Sequence, residues 1–199
     1  MRRRKTGAFS RRNAGFGLLD TAISLAVVGV MTVAVFKGMA LWETAKTVAL
    51  LSQVDQIRMA VFQHQEQSRN TVTVSSKEEN VGLFKALNET GVANLPLGKE
   101  GFPTSKLGGL IALSSTVEGA PGNWIVVAGS VPEQLSKFKG AVTPEQAEAI
   151  LRKGGNGDPE SGSIRAITGE GSEGQCITGK KLNTDNKSKA CVLLFRLDF

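Results

Sequence analysis

Residues 16–36 form a run of 21 that is apolar apart from one acid, Asp20, and a few small polar side chains. At about 1.5 Å per residue, such a run in helical form matches a hydrocarbon core of about 30 Å, so it is predicted to be a membrane-spanning helix. A carboxylate inside such a helix costs roughly 2.5 to 3.5 kcal/mol unless it is paired or hydrated. Asp20 therefore needs a positive partner or a path to water, and this requirement constrains the chain more than any other feature.

The charge distribution supports a topogenic start. Residues 1–15 carry Arg2, Arg3, Arg4, Lys5, Arg11 and Arg12 with no acid, which is six of the 24 basic residues of the chain. The remainder holds 18 basic against 18 acidic residues, so the net charge of +6 belongs to the leader. A neutral body with basic residues scattered singly or in pairs lacks the stripe expected of a nucleic-acid binder, and no nucleic acid is expected as a partner. A basic block ahead of an apolar run is instead retained on the cytoplasmic side of a membrane. Gly38, Met39 and Ala40 offer a secretory cleavage site after the run, though the apolar core is long for that reading and Lys37 lies just before the cut. "SRR" hints at a twin-arginine signal, but Ala14 and Gly15 stand where bulky apolar residues belong.

The segment "GFGLLD", residues 15–20, resembles the start of type IV pilins and of the pseudopilins of type II secretion. In that pattern Gly15 precedes a cut, Phe16 begins the mature chain, Asp20 is the fifth-place acid and Gly29 the fourteenth-place glycine. The family usually has Glu where this chain has Asp20, and many members have a proline where it has Lys37 and Gly38. The resemblance implies removal of the leader 1–15 by a prepilin peptidase, N-methylation of Phe16, and a fold in which a long N-terminal helix packs on a small antiparallel sheet. It also supplies the missing partner. Cleavage frees an amine about 6 Å along the axis from Asp20, and the amine of a shifted neighbour would sit beside this carboxylate. Separating such a pair in low dielectric costs several kcal/mol, so Asp20 is expected to set the register of assembly.

From Met39 to Gln67 there is no proline or glycine, and Leu50, Val54, Ile57 and Val61 recur at helical spacing with Ser52, Asp55, Gln56 and Gln63 on the other side. A helix over residues 16–67 is predicted, about 78 Å long, with its first part in the membrane and its second on a folded domain. Whether it melts near Gly29 to Gly38 is open. Met59 and Phe62 fall off the main stripe and read either as edges of the core face or as subunit contacts.

Residues 68–199 are predicted to form a globular domain outside the cytoplasm. Seventeen of the 23 glycines lie in residues 91–179, favouring turns and short strands. Residues 110–117 and 123–131 read as a hairpin, 162–168 and 190–199 as further strands, and "TPEQAEAILRK" as a short helix capped by Thr143, Pro144 and Gln146 that buries Ala147, Ile150 and Leu151. The fold class is α+β.

Cys176 and Cys191 are the only cysteines, too few for a structural zinc site with His64 distant in sequence. A disulfide closing a polar loop is expected, worth roughly 3 kcal/mol in an oxidising compartment. In the resembled family such a loop is often surface-exposed and variable. Asn156, Asp158 and Glu160 alternate in "GNGDPESGS" and are weak calcium candidates, although Pro159 and the glycines explain a turn without metal. "GEGSEG" has no following helix or lysine to hold a phosphate. One histidine, no tyrosine and no triad-like grouping argue against an enzyme, and no catalytic residue, metal or cofactor is expected.

The expected function is a structural subunit, a major or minor pilin or a pseudopilin, moving from the bacterial inner membrane into a pilus or pseudopilus. Its expected partners are copies of itself or related pilins, the prepilin peptidase, an inner-membrane assembly platform and the membrane itself. The competing expectation is a periplasmic binding or sensing module, anchored by an uncleaved helix or released after Ala40.

Overall fold

The computed structural model describes residues 17–69 and 71–197. Two units make up the chain, dividing between Glu43 and Thr44. One unbroken helix, α1 (Leu18–Ser68), contributes to both, and it continues through Gly29 and Gly38 without interruption. The first unit is described only by this helix.

In the second unit the expected stripe holds: Leu50, Val54, Ile57 and Val61 are buried, while Ser52, Asp55, Gln56 and Gln63 are exposed. Polar contacts among the described residues help fix this part of α1 to its own unit. Gln53 Nε2 donates to Thr104 O at 2.9 Å, and Arg58 Nη2 donates to Arg196 O at 3.2 Å.

A second helix, α2 (Lys77–Glu89), was not expected from the periodicity of the chain. Its start is a capping box. Ser76 accepts from the Glu79 N–H while the Glu79 carboxylate accepts from the Ser76 N–H, satisfying two donors that a helix end otherwise leaves unpaired. The strands follow as β1 (Leu110–Ser114) and β2 (Trp124–Ala128), the expected hairpin trimmed at both ends. Next come α3 (Pro144–Gly154), β3 (Ile164–Thr168), the two-residue strands β4 (Ile177–Thr178) and β5 (Lys181–Leu182), and β6 (Cys191–Arg196). In α3 the predicted capping box is present, and Ala147, Ile150 and Leu151 are buried.

The four longer strands form one antiparallel sheet in the order β1-β2-β6-β3, with Ile125 opposite Phe195 and Phe195 opposite Ile164. β6 is buried along nearly its whole length because it lies inside the sheet although it is last in sequence. Both outer strands have backbone groups engaged by other segments. Along β1, Ile111 N–H donates to Pro103 O, and Asn80, fully buried on α2, exchanges two hydrogen bonds with Leu113 (2.6 and 2.8 Å). Along β3, Ala166 N–H donates to the carbonyl of Pro159 at 2.9 Å. Proline has no N–H to offer, so its carbonyl ends the pairing there.

Some of the glycines permit close approach rather than turns. A Cβ on Gly140 would lie 2.1 Å from Lys189 O, and one on Gly169 would lie 2.2 Å from Gly140 N, so these backbone segments meet at distances that no side chain tolerates.

Candidate functional site

The α1 residues of the first unit have an unusual exposure pattern. Ile23, Leu25, Val27, Val28, Val30, Met31, Val33, Val35, Leu41 and Trp42 are between 47% and 73% exposed. No described residue from Asp20 to Glu43 is buried. A helix apolar on every side is found inside a bundle, inside a membrane, or inside a larger assembly, because bare apolar surface of this extent is not stable in water.

The few polar groups within the apolar stretch are internally satisfied. Ser24 Oγ donates to Asp20 O and Thr32 Oγ1 donates to Val28 O, each at 2.7 Å. Both use the carbonyl four residues back, which leaves these hydroxyls no need of water. Asp20 is exposed in the first helical turn, with its N–H donating to Gly17 O at 2.9 Å. An acid there also complements the positive end of the helix dipole, so its position is favourable on local grounds as well. Gly15 and Phe16, the predicted cleavage and methylation positions, lie outside the described residues.

Among the described residues no helix is long and apolar enough to cross a membrane. The predicted span 16–36 is not fully represented among them. Phe16 is outside, and so are the side chains of Leu18, Leu19, Ala34 and Phe36.

The outward side of α1 in the second unit adds Val48, Met59 and Phe62, at 53%, 67% and 51% exposure. Met59 and Phe62 are three residues apart and share a face. Met59 lies opposite the buried face, whereas Phe62 lies at its flank beside the half-buried Leu51.

Cys176 and Cys191 form the expected disulfide, with Cα atoms 4.9 Å apart and both residues fully buried. The loop between them contains the β4–β5 hairpin. Sequence pattern gave no sign of it, since two residues per strand carry no alternation.

The candidate calcium residues do not converge as ligands. Asn156 Oδ1 accepts from Asp158 N–H at 3.1 Å, and Asp158 Oδ1 accepts from Glu160 N–H at 2.9 Å. Asp158 Oδ2 accepts from the Ser161 hydroxyl at 2.8 Å. The Glu160 N–H, followed by that hydroxyl, holds the Asp158 carboxyl below the usual aspartate range. Both of its oxygens are thus committed to shaping a turn, whose product is the Pro159 carbonyl placed against β3. Among the described residues no three His, Cys, Asp or Glu side chains form a metal-binding group.

No protein-family model matches the chain, and no curated protein does. Solved structures similar to it include two pilins. One is the major type IV pilin PilA1 from Clostridium difficile, at 15% identity and a TM-score of 0.44, covering 79% of this chain and 97% of that one. The other is TcpA, a type IV pilin from Vibrio cholerae El Tor biotype, at 13% identity and a TM-score of 0.43, covering 76% of this chain and 98% of that one. A likeness at this level concerns the path of the backbone and says nothing of the chemistry.

Proposed function

We propose that the chain is a structural, non-enzymatic subunit of a type IV pilus or of a type II secretion-like filament, assembled through α1 after removal of residues 1–15. The observation that carries this reading is the first-unit helix: apolar on every side between Thr21 and Phe36, exposed at every described position whose burial is defined, and bearing one carboxylate, Asp20, at its start and the next only at Glu43. Such a surface requires a cover. Lipid would supply it before assembly, and the helices of other copies afterwards. Because lipid is as apolar as the helix, burial between subunits gives little net drive for extraction, and the work falls to an assembly platform in the inner membrane. Met59, Phe62 and Val48 would extend the contact between subunits.

Asp20 would set the register in this assembly by meeting the amine of Phe16 on a neighbouring copy. The intact mass of the mature protein tests the processing step. The expected product starts at Phe16 with one added methyl group, whereas a chain starting at Met1 or Leu41 would support a tethered or released binding module. Asp20→Ala is expected to insert in the membrane normally yet fail to form filaments. Normal filaments from Asp20→Ala would remove the registry role while leaving the subunit role open to the mass measurement.

A further inference from the structure

Charged residues bracket a long stretch of α1. Between Asp20 and Glu43 the only charge in the sequence is Lys37. Trp42 stands at the far end of this stretch, 65% exposed beside Leu41 at 69%, and among the described residues the first buried side chain comes only at Thr47. The helix is unbroken here and advances about 33 Å from Asp20 to Trp42, close to a hydrocarbon core of about 30 Å. A span over residues 16–36, where the apolar run ends, fits less well at both boundaries. It leaves Trp42 about 9 Å out in water with Leu41 bare beside it, and it draws Asp20 about 6 Å into hydrocarbon. Tryptophan, with an apolar ring and a polar N–H, concentrates at the headgroup level of membrane helices.

We infer that Trp42 marks the outer headgroup level of a lipid bilayer and Asp20 the inner one, so that the bilayer lies farther along α1 than the apolar run alone places it. The inference rests on the proposed lipid cover of the first-unit helix and adds its depth. At the inner level Asp20 is hydrated, which gives the carboxylate its path to water before any neighbouring amine is at hand. Its burial then begins with departure into an assembly, not with insertion. The six basic residues of 1–15 fall on the side of the inner headgroups, where anionic lipids match their charge. Lys37 is the one residue for which the shorter span is better. It stands about 7.5 Å below Trp42 along the helix, a depth from which a lysine stem reaches the headgroups.

The chain carries its own probe. It has two tryptophans, and the other, Trp124, is 1% exposed in the folded unit with its ring N–H donating to Ala120 O at 2.8 Å. The test places the full chain in vesicles of phosphatidylcholine and phosphatidylglycerol, the phosphatidylcholine carrying bromine either near the glycerol end or near the methyl end of its acyl chains. Flotation isolates the bound protein, and Trp42→Phe supplies the Trp124 background. Shallow bromine is expected to quench Trp42 emission at least about twofold more than deep bromine. Bound protein whose Trp42 is quenched by neither lipid puts the boundary before Trp42 and overturns the inference while leaving the lipid cover standing. Stronger quenching by deep bromine overturns it from the other side. Protein that does not float with the vesicles removes the lipid cover itself, and the inference with it.

Discussion

Asn80 is the residue on which the arrangement of the folded unit turns most sharply. It is fully buried, and its carboxamide both donates to and accepts from the backbone of Leu113, taking the place that a neighbouring strand would occupy. Asn80→Ala leaves a buried N–H and a buried C=O without partners, each costing about 1–3 kcal/mol. The expected loss is at least about 2 kcal/mol, read as a lowered midpoint in chemical denaturation. Asn80→Asp is expected to do no better, because an ionised carboxylate cannot donate to Leu113 O. The same residue explains why α2 escaped the sequence reading. Ser76 and Glu79 carry the same capping signature that revealed α3 at Thr143 and Gln146. But Asn80 stands on the buried face with Phe84 and Leu87, and a polar side chain there breaks the apolar period that would have announced a helix. Its partner is 33 residues away in sequence, and nothing local names it.

At the scale of elements, the caps and the crosslink make separate predictions. The Glu79 carboxyl is held below its ordinary value of 4.5, first by the Ser75 N–H and then by the Ser76 N–H. A depressed carboxyl adds stability that is fully present above the unfolded value. That stability is lost as pH falls through the lower folded value. Unfolding midpoints are therefore expected to drop below about pH 4.5, and Glu79→Gln, which keeps an acceptor for the cap, is expected to flatten that part of the profile. Asp158 acts in the same direction. Replacing Cys176 and Cys191 together by serine is expected to cost about 3 kcal/mol on the loop-entropy account, measured against the oxidised protein. A smaller loss would mean that the reduced chain keeps the loop ordered without the bond. The hairpin, β3, β6 and α3 were legible because each has a pattern longer than the noise: alternation, turn residues, or a cap. Strand order was not. β6 lies between β2 and β3 through contacts among distant segments, and local pattern does not encode such pairings. The glycine-rich stretch gave turns correctly, but Gly140 and Gly169 serve a backbone crossing that composition alone cannot distinguish from a turn.

For the whole molecule, the decisive contrast is between where the apolar core lies and where the apolar surface lies. Among the described residues, every buried apolar side chain occurs at Leu50 or later, and the bare apolar helix lies before Thr44. On the proposed function, the apolar residues of the first unit take their cover from lipid or from other copies of the chain. A chain starting at Thr44 is therefore expected to be a soluble protein that unfolds in one cooperative step. Its denaturant slope should fit the surface buried in the second unit alone, since that slope scales with the area exposed on unfolding. It keeps Met59 and Phe62, so any residual self-association should weaken with Met59→Ser and Phe62→Ser at unchanged stability, because exposed residues away from the core shift folding energy by only about 0.5 kcal/mol. The full chain is expected to need detergent, or its own kind, to stay dispersed. Sedimentation of both forms across a range of concentrations separates the two requirements. If the chain starting at Thr44 were unfolded, the first-unit helix would belong to the folding core, and its bare surface would no longer argue for assembly.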